Sequence, residues 1–68
     1  MQYVVIIEKT DTNYGAYVPD LPGCVVVAET QYEVKKLIRE AIELHLKSLR
    51  EDGTPIPEAV TISELIDV

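Results

Sequence analysis

One cysteine, one histidine and twelve carboxylates are the side chains of this 68-residue chain that could do nucleophilic, acid–base or metal chemistry. Cys24 ends the segment "VPDLPGC", which packs two prolines and a glycine into seven residues. A cysteine becomes nucleophilic when a helix N-terminus, a cation or a base lowers its pKa. Cys24 instead opens the run "CVVVA" and reads as a small buried apolar residue, a common fate of free cysteine. His45 shares a helical stripe with Ile38, Ile42 and Leu49, so it reads as a packed ring bonding through one nitrogen rather than a base or ligand. A lone cysteine and a lone histidine also fall short of a structural zinc site. No D-x-D or E-x-x-H spacing joins the carboxylates, and the three glycines are too scattered for a phosphate-cradling loop. The reading is of a chain that is not an enzyme, with no metal site and no cofactor.

Two residue types remain as candidates for binding. Asp20 reads as a turn residue bonding backbone N–H groups within its own loop, with contact to a partner as the alternative. Tyr3, Tyr14, Tyr17 and Tyr32 fit an interface, where tyrosine is enriched, and fit ordinary strands equally well.

The elements that must position these residues follow from periodicity. "QYVVIIEK" (Gln2 to Lys9) predicts a strand with Tyr3, Val5 and Ile7 on one face and Val4 and Ile6 on the other. Both faces are apolar and a helix covers only one, so Val4 and Ile6 are expected at an interface with another copy. After the turn "TDTNYG", a second strand begins at "AYV" (Ala16 to Val18) and a third spans "CVVVA" (Cys24 to Ala28). "TQYE" places Thr30 as N-cap and Glu33 as its capping-box partner. Val34, Leu37, Ile38, Ala41, Ile42, His45 and Leu49 then form the apolar stripe, and Glu43 and Lys47 an i,i+4 pair on the polar face. Leu44 and Leu46 widen the stripe and are expected to contact another copy. "EDGTPIP" stops the helix, with Gly53 as left-handed cap and Pro55 barring continuation. In "EAVTISELIDV", Val60 and Ile62 alternate with Thr61 and Ser63, which predicts an edge strand to about Ile66; a short helix over "SELI" is the lesser alternative. The expected fold is α+β: one two-layer β-β-β-α-β domain over residues 1–68, one helix packed on a small sheet.

Size and charge narrow the class. A domain of this length buries only about 60 % of its unfolded surface, and with no disulfide or metal available, self-association is the remaining staple. A homo-oligomer, dimer or tetramer, is expected. The net charge is −6, and it is uneven: Glu29 to Asp52 carries −1, whereas the rest sets Glu8, Asp11, Asp20, Glu58, Glu64 and Asp67 against Lys9 alone. Phosphate binding rests on lysine and arginine, so direct nucleic-acid binding is not expected; a basic partner fits better. No membrane-length apolar run and no signal-peptide pattern occurs, so a cytoplasmic location is expected.

Taken together, "AYVPDLPGCVVVAET" after an opening "YVVIIEK" strand, with "EDGTPIP" after a capped helix, resembles the HicB-like antitoxin family, in particular its N-terminal domain. The likeness extends from Tyr3 to about Pro57, and its specific parts are Asp20, Leu21, Pro22, Gly23 and Cys24, with Asp52, Gly53, Pro55 and Pro57. The resemblance implies a β-β-β-α-β fold described as a partial ribonuclease H-like fold without nuclease activity. It further implies a partner: a small basic HicA-like toxin, an mRNA-cleaving ribonuclease, which such domains bind and neutralise. Full-length relatives commonly add a C-terminal DNA-binding domain. With the chain ending at Val68, neither that domain nor autorepression is expected here. Tyr14, Tyr17, Asp20, Leu21, Pro22 and Gly23 are the expected partner-contacting or family-marking residues, and Cys24, Asp52, Gly53, Pro55 and Pro57 the structural ones. The alternative is a stand-alone oligomeric domain that binds a small molecule or another protein and has no toxin.

Overall fold

The computed structural model describes residues 1–68 and contains three strands, β1 (Ile6–Lys9), β2 (Tyr14–Tyr17) and β3 (Val25–Ala28), followed by one helix, α1 (Gln31–Glu51). The strands form an antiparallel meander in the order β1-β2-β3. Its register aligns Ile7, Ala16 and Val26 in one row and Ile6, Tyr17 and Val25 in the next. Because side chains alternate across a strand, the first row faces α1 and the second faces away. Ala16, Val18, Leu21, Cys24, Val34, Ile38 and Leu46 form the buried core, with Tyr3, Val5, Ile7, Tyr14 and Val26 packed around it. Leu21 and Val34 are wholly buried, each side chain contributing about 1.5–3 kcal/mol of burial. The helix lies mainly over β3 and β2, so the inner side of β1 is the least covered part of the sheet.

Local chemistry explains the ends of the elements. Thr10 closes the first hairpin: its hydroxyl accepts from the backbone N–H groups of Thr12 (3.3 Å) and Asn13 (3.1 Å). That side-chain staple lets the turn form without any residue at positive φ there, although tight hairpins usually require one. At the helix start, the Thr30 hydroxyl accepts from the Glu33 N–H at 3.1 Å. The Glu33 carboxylate accepts from that same hydroxyl at 3.1 Å, instead of reaching back to a backbone N–H as a full capping box would. At the other end Gly53 adopts φ 70°, with Gly53 N–H donating to Arg50 O (3.2 Å) and Thr54 N–H to Leu49 O (2.9 Å). This is a Schellman closure, which satisfies carbonyls the helix leaves open.

Four expectations differ from the structure. β2 begins at Tyr14 rather than Ala16 because the Thr10 staple tightens the turn to Asp11 and Thr12, and β1 begins at Ile6 rather than Gln2 because its partner strand ends at Tyr17. The predicted edge strand over residues 60–66 is absent: residues 54–68 carry no helix or strand. Its alternation is present, but no backbone–backbone hydrogen bond reaches any residue beyond Thr54, and a strand exists only through such partners. Glu43 pairs with Arg39 (3.7 Å) and Lys47 with Glu51 (4.0 Å) instead of with each other, a small matter for pairs this exposed. Leu46 is a core residue at 9 % exposure rather than an interface residue, since it falls one turn beyond Ile42 beneath Tyr3.

The molecule measures 41 × 29 × 16 Å with a radius of gyration of 13.2 Å, against about 11 Å for a compact chain of this length. Its accessible surface is 5465 Å², against about 4,300 Å² for a folded monomer of this mass. Among the exposed apolar residues are Val60, Ile62, Leu65, Ile66 and Val68 of the C-terminal segment.

Candidate functional site

The corner between β2 and β3 is two turns in series. Val18 N–H donates to Cys24 O at 3.2 Å, so the strands still pair at the corner's base. Leu21 N–H then donates to Val18 O, and Cys24 N–H to Leu21 O, each at 3.1 Å. In the second turn Pro22 and Gly23 are the central residues and Gly23 has φ 84°, the pattern of a type II turn. Pro19 opens the first turn, where its fixed φ is already suitable. The result aims Leu21 inward at 0 % exposure and leaves Pro22 and Gly23 on the surface. Leu21 therefore plugs the end of the core and is closed to a partner.

Asp20 does not bond its own turn. Its carboxylate accepts from the Thr61 N–H at 3.0 Å and from the Thr61 hydroxyl at 2.8 Å. Thr61 N–H, then the Thr61 hydroxyl, and lastly the Val60 N–H hold the Asp20 pKa below its ordinary value, against an opposing effect of burial. A second anchor joins the Tyr3 hydroxyl to Pro57 O at 2.6 Å. The corner is thus a latch for the C-terminal segment. Nothing in the local sequence marks Thr61, which lies 41 residues from Asp20.

Cys24 is buried beside β3. Burial pushes its thiol pKa up, the opposite of what a nucleophile needs. His45 and Leu44 line a shallow hollow with Cys24, Gly23 and Val25. Nowhere do three His, Cys, Asp or Glu side chains converge as a metal site requires, and no helix is long and apolar enough to cross a membrane.

What the fold does present is the uncovered side of the sheet. Tyr17 at 41 %, Val25 at 62 % and Val27 at 60 % exposure stand on it with Ile6, and Val4 extends the same face by alternation. Glu8, Gly15 and Val27 make the next row, so acid borders the apolar patch on the hairpin side, where Asp11 also lies exposed. Of the expected partner residues, the structure leaves Tyr17, Pro22 and Gly23 exposed, Tyr14 half-buried on the helix side and Asp20 half-buried under Thr61. Asp52 and Gly53 form the helix cap, and Pro57 supplies the carbonyl held by Tyr3.

Residues 3–68 match the family model described as the HicB-like antitoxin of bacterial toxin–antitoxin systems. The chain belongs to the HicB-like antitoxin family. A solved structure titled "HicA3 and HicB3 toxin-antitoxin complex" contains a similar chain, with TM-score 0.69 and 33 % identity, covering 81 % of this chain and 64 % of that one. An uncharacterised 14.9 kDa protein of Haemophilus phage HP1 is 34 % identical over 67 residues, covering 98 % of this chain. This HicB-like chain spans only 50 % of that phage protein's length. A UPF0150 protein of Thermoplasma acidophilum is 40 % identical over 58 residues, 84 % of each chain.

Proposed function

We propose that this HicB-like chain is a non-catalytic antitoxin that binds and neutralises a small basic HicA-like ribonuclease, docking it on the outer face of the sheet. The observation that carries this is the exposed row of Tyr17, Val25 and Val27 beside Glu8. Apolar ground with a tyrosine is what a protein interface uses at its centre. Acidic groups at its border attract a basic protein and raise the rate of encounter. Family membership and the likeness to a chain of a HicA3–HicB3 toxin–antitoxin complex support the same partner. Val4 and Ile6, first expected between copies, fall within this face and are assigned here to the toxin. Self-association, as a dimer or tetramer, is retained on the strength of the surplus accessible surface, and the location is cytoplasmic, where such a toxin would act.

Co-expression with a short basic HicA-like protein, sought in the neighbouring reading frame, tests the reading. The expected result is co-purification and relief of the growth inhibition that protein causes. Val25→Glu with Val27→Glu, both at exposed positions, should abolish both effects while leaving the circular dichroism spectrum unchanged. Growth inhibition that wild-type chain leaves unrelieved, or capture indifferent to the double variant, would refute the proposal.

A further inference from the structure

The outer face of the sheet ends at an open strand edge. β3 pairs only with β2, and the Val18 N–H donates to Cys24 O at 3.2 Å, so Val18 and Cys24 are a hydrogen-bonded pair. Such pairs alternate along an antiparallel ladder, which makes Ala16 with Val26 and Tyr14 with Ala28 the next bonded pairs. The N–H and C=O groups of Val25 and Val27 therefore point away from β2, and no turn or cap bond reaches them. Open edges are normally guarded by charge, proline or a bulge. β3 reads Val25-Val26-Val27-Ala28 with an unbroken register and has none of these guards, whereas β1 carries Glu8 and Lys9.

Apolar ground flanks this edge in both layers. On the outer face stand the Val25 and Val27 side chains; in the helix layer Leu44, 68 % exposed, lines a hollow with Ala41, Ser48, Cys24 and Val25. Val25 faces away from α1, so a hollow that it shares with helix residues opens at the edge itself. Charge then separates the two flanks of the helix. Lys35 and Arg39 stand on the β1 side. On the β3 side Glu33, Glu40 and Glu51 share hollows with Leu37 and Leu44, beside Lys36 and Lys47, and the exposed Glu29 directly follows β3. The β3 edge thus favours a basic occupant.

Resting on the antitoxin reading above, we propose that the basic partner docks by adding an extended segment to the β3 edge as a fourth strand. In this mode main-chain bonds to Val25 and Val27 supply affinity, and pockets for alternate side chains supply selectivity. Alternate residues of the added segment fall in opposite layers. One set extends the patch of Tyr17, Val25 and Val27; the other enters the hollow at Leu44. The edge therefore selects a segment that is apolar on both faces and has lysine or arginine close by. A partner held by the outer face alone would need neither the Val27 N–H nor Leu44, which lies in the helix layer.

The experiment measures the affinity of the full chain and its variants for the co-purified basic protein by calorimetry, with amide hydrogen exchange on the free and bound chain. In the free chain the Val25 and Val27 amides should exchange fast and those of Val26 and Ala28 slowly; binding should protect the first pair. Val27→Pro removes an outward N–H, a place where edge strands tolerate proline, and Val27→Ala is its control for the lost side chain. Val27→Pro should bind about tenfold more weakly than Val27→Ala, the scale of a buried acceptor left unpaired. Leu44→Gln, a neutral change at an exposed helix position, should also weaken binding. Circular dichroism verifies folding, and if Val27→Pro fails to fold, Leu44→Gln and the exchange pattern decide. Equal binding by the two Val27 variants, indifference to Leu44→Gln, or Val25 and Val27 amides that stay fast in the complex or are already protected in the free chain would overturn the added strand and leave outer-face docking standing. A wild-type chain that captures no basic protein would overturn the antitoxin reading and this inference with it.

Discussion

Two segments of this chain look alike in sequence and behave differently in the fold. "VPDLPGC" and "DGTPIP" each hold two prolines, a glycine and an aspartate around one larger apolar residue. The first returns on itself: Val18 and Cys24 remain paired at its base and Leu21 is driven into the core. The second caps α1 through Gly53 and leaves Ile56 half-buried, after which the chain continues without a partner strand. Proline and glycine announce only that a regular element stops. Whether the connection becomes a plug or an outlet depends on having a paired strand at both ends, which the corner has and the helix exit lacks.

The strongest attempt to break this contrast is truncation of the plug. Leu21→Ala should cost about 2–5 kcal/mol, the range for deleting a buried leucine side chain. In a domain this small, each kcal/mol lowers the Tm by about 4–8 °C, so thermal unfolding followed by circular dichroism should shift far down or vanish. A loss below about 1 kcal/mol would mean that the corner hangs outside the core.

A smaller effect sharpens the comparison through the two positive-φ glycines. Neither Gly23 (φ 84°) nor Gly53 (φ 70°) has an atom within 4 Å of an added Cβ, so alanine at either position meets only backbone strain. That strain is about 1–2 kcal/mol for a left-handed residue. At Gly23 the chain is tied on both sides and has to bear it; at Gly53 the following residues can shift. Gly23→Ala should therefore lower the urea midpoint more than Gly53→Ala, and the reverse order would contradict the account of tied and free connections.

The legible parts of the molecule are those fixed by neighbours in sequence. Alternation in "YVVII" identified the inward set Tyr3, Val5 and Ile7, and Thr30 and Gly53 marked the helix limits to within a residue. Cys24 was legible as a buried thiol for the same reason: the valines after it belong to a strand. What escaped depends on distant pairing. Thr61 reaches Asp20 from across the fold, and Leu21 is an apolar residue between prolines whose inward aim only the two turns decide. The predicted last strand failed because alternation in Val60 and Ile62 describes a side-chain pattern, whereas a strand also needs a neighbour.

The smallest effect concerns the one tie that joins the two segments' territories, Asp20 to Thr61. Its sign follows from the carboxylate's lowered pKa, caused chiefly by the Thr61 N–H and next by the Thr61 hydroxyl. A carboxylate with a depressed folded pKa adds stability that is fully present above the unfolded value and disappears as pH falls through the folded one. The latch should therefore be closed at neutral pH and throughout the range above the ordinary value of 3.8, and should open only below it. The Thr61 amide resonance, followed by acid titration, should move with a midpoint under 3.8, while the Leu21 amide, held by Val18 O, should not share that midpoint. In Asp20→Asn the Thr61 titration should disappear at every pH, and proteolysis beyond Thr61 should be faster at neutral pH than in the wild type. A midpoint at or above 3.8 would place the C-terminal segment away from the corner in solution.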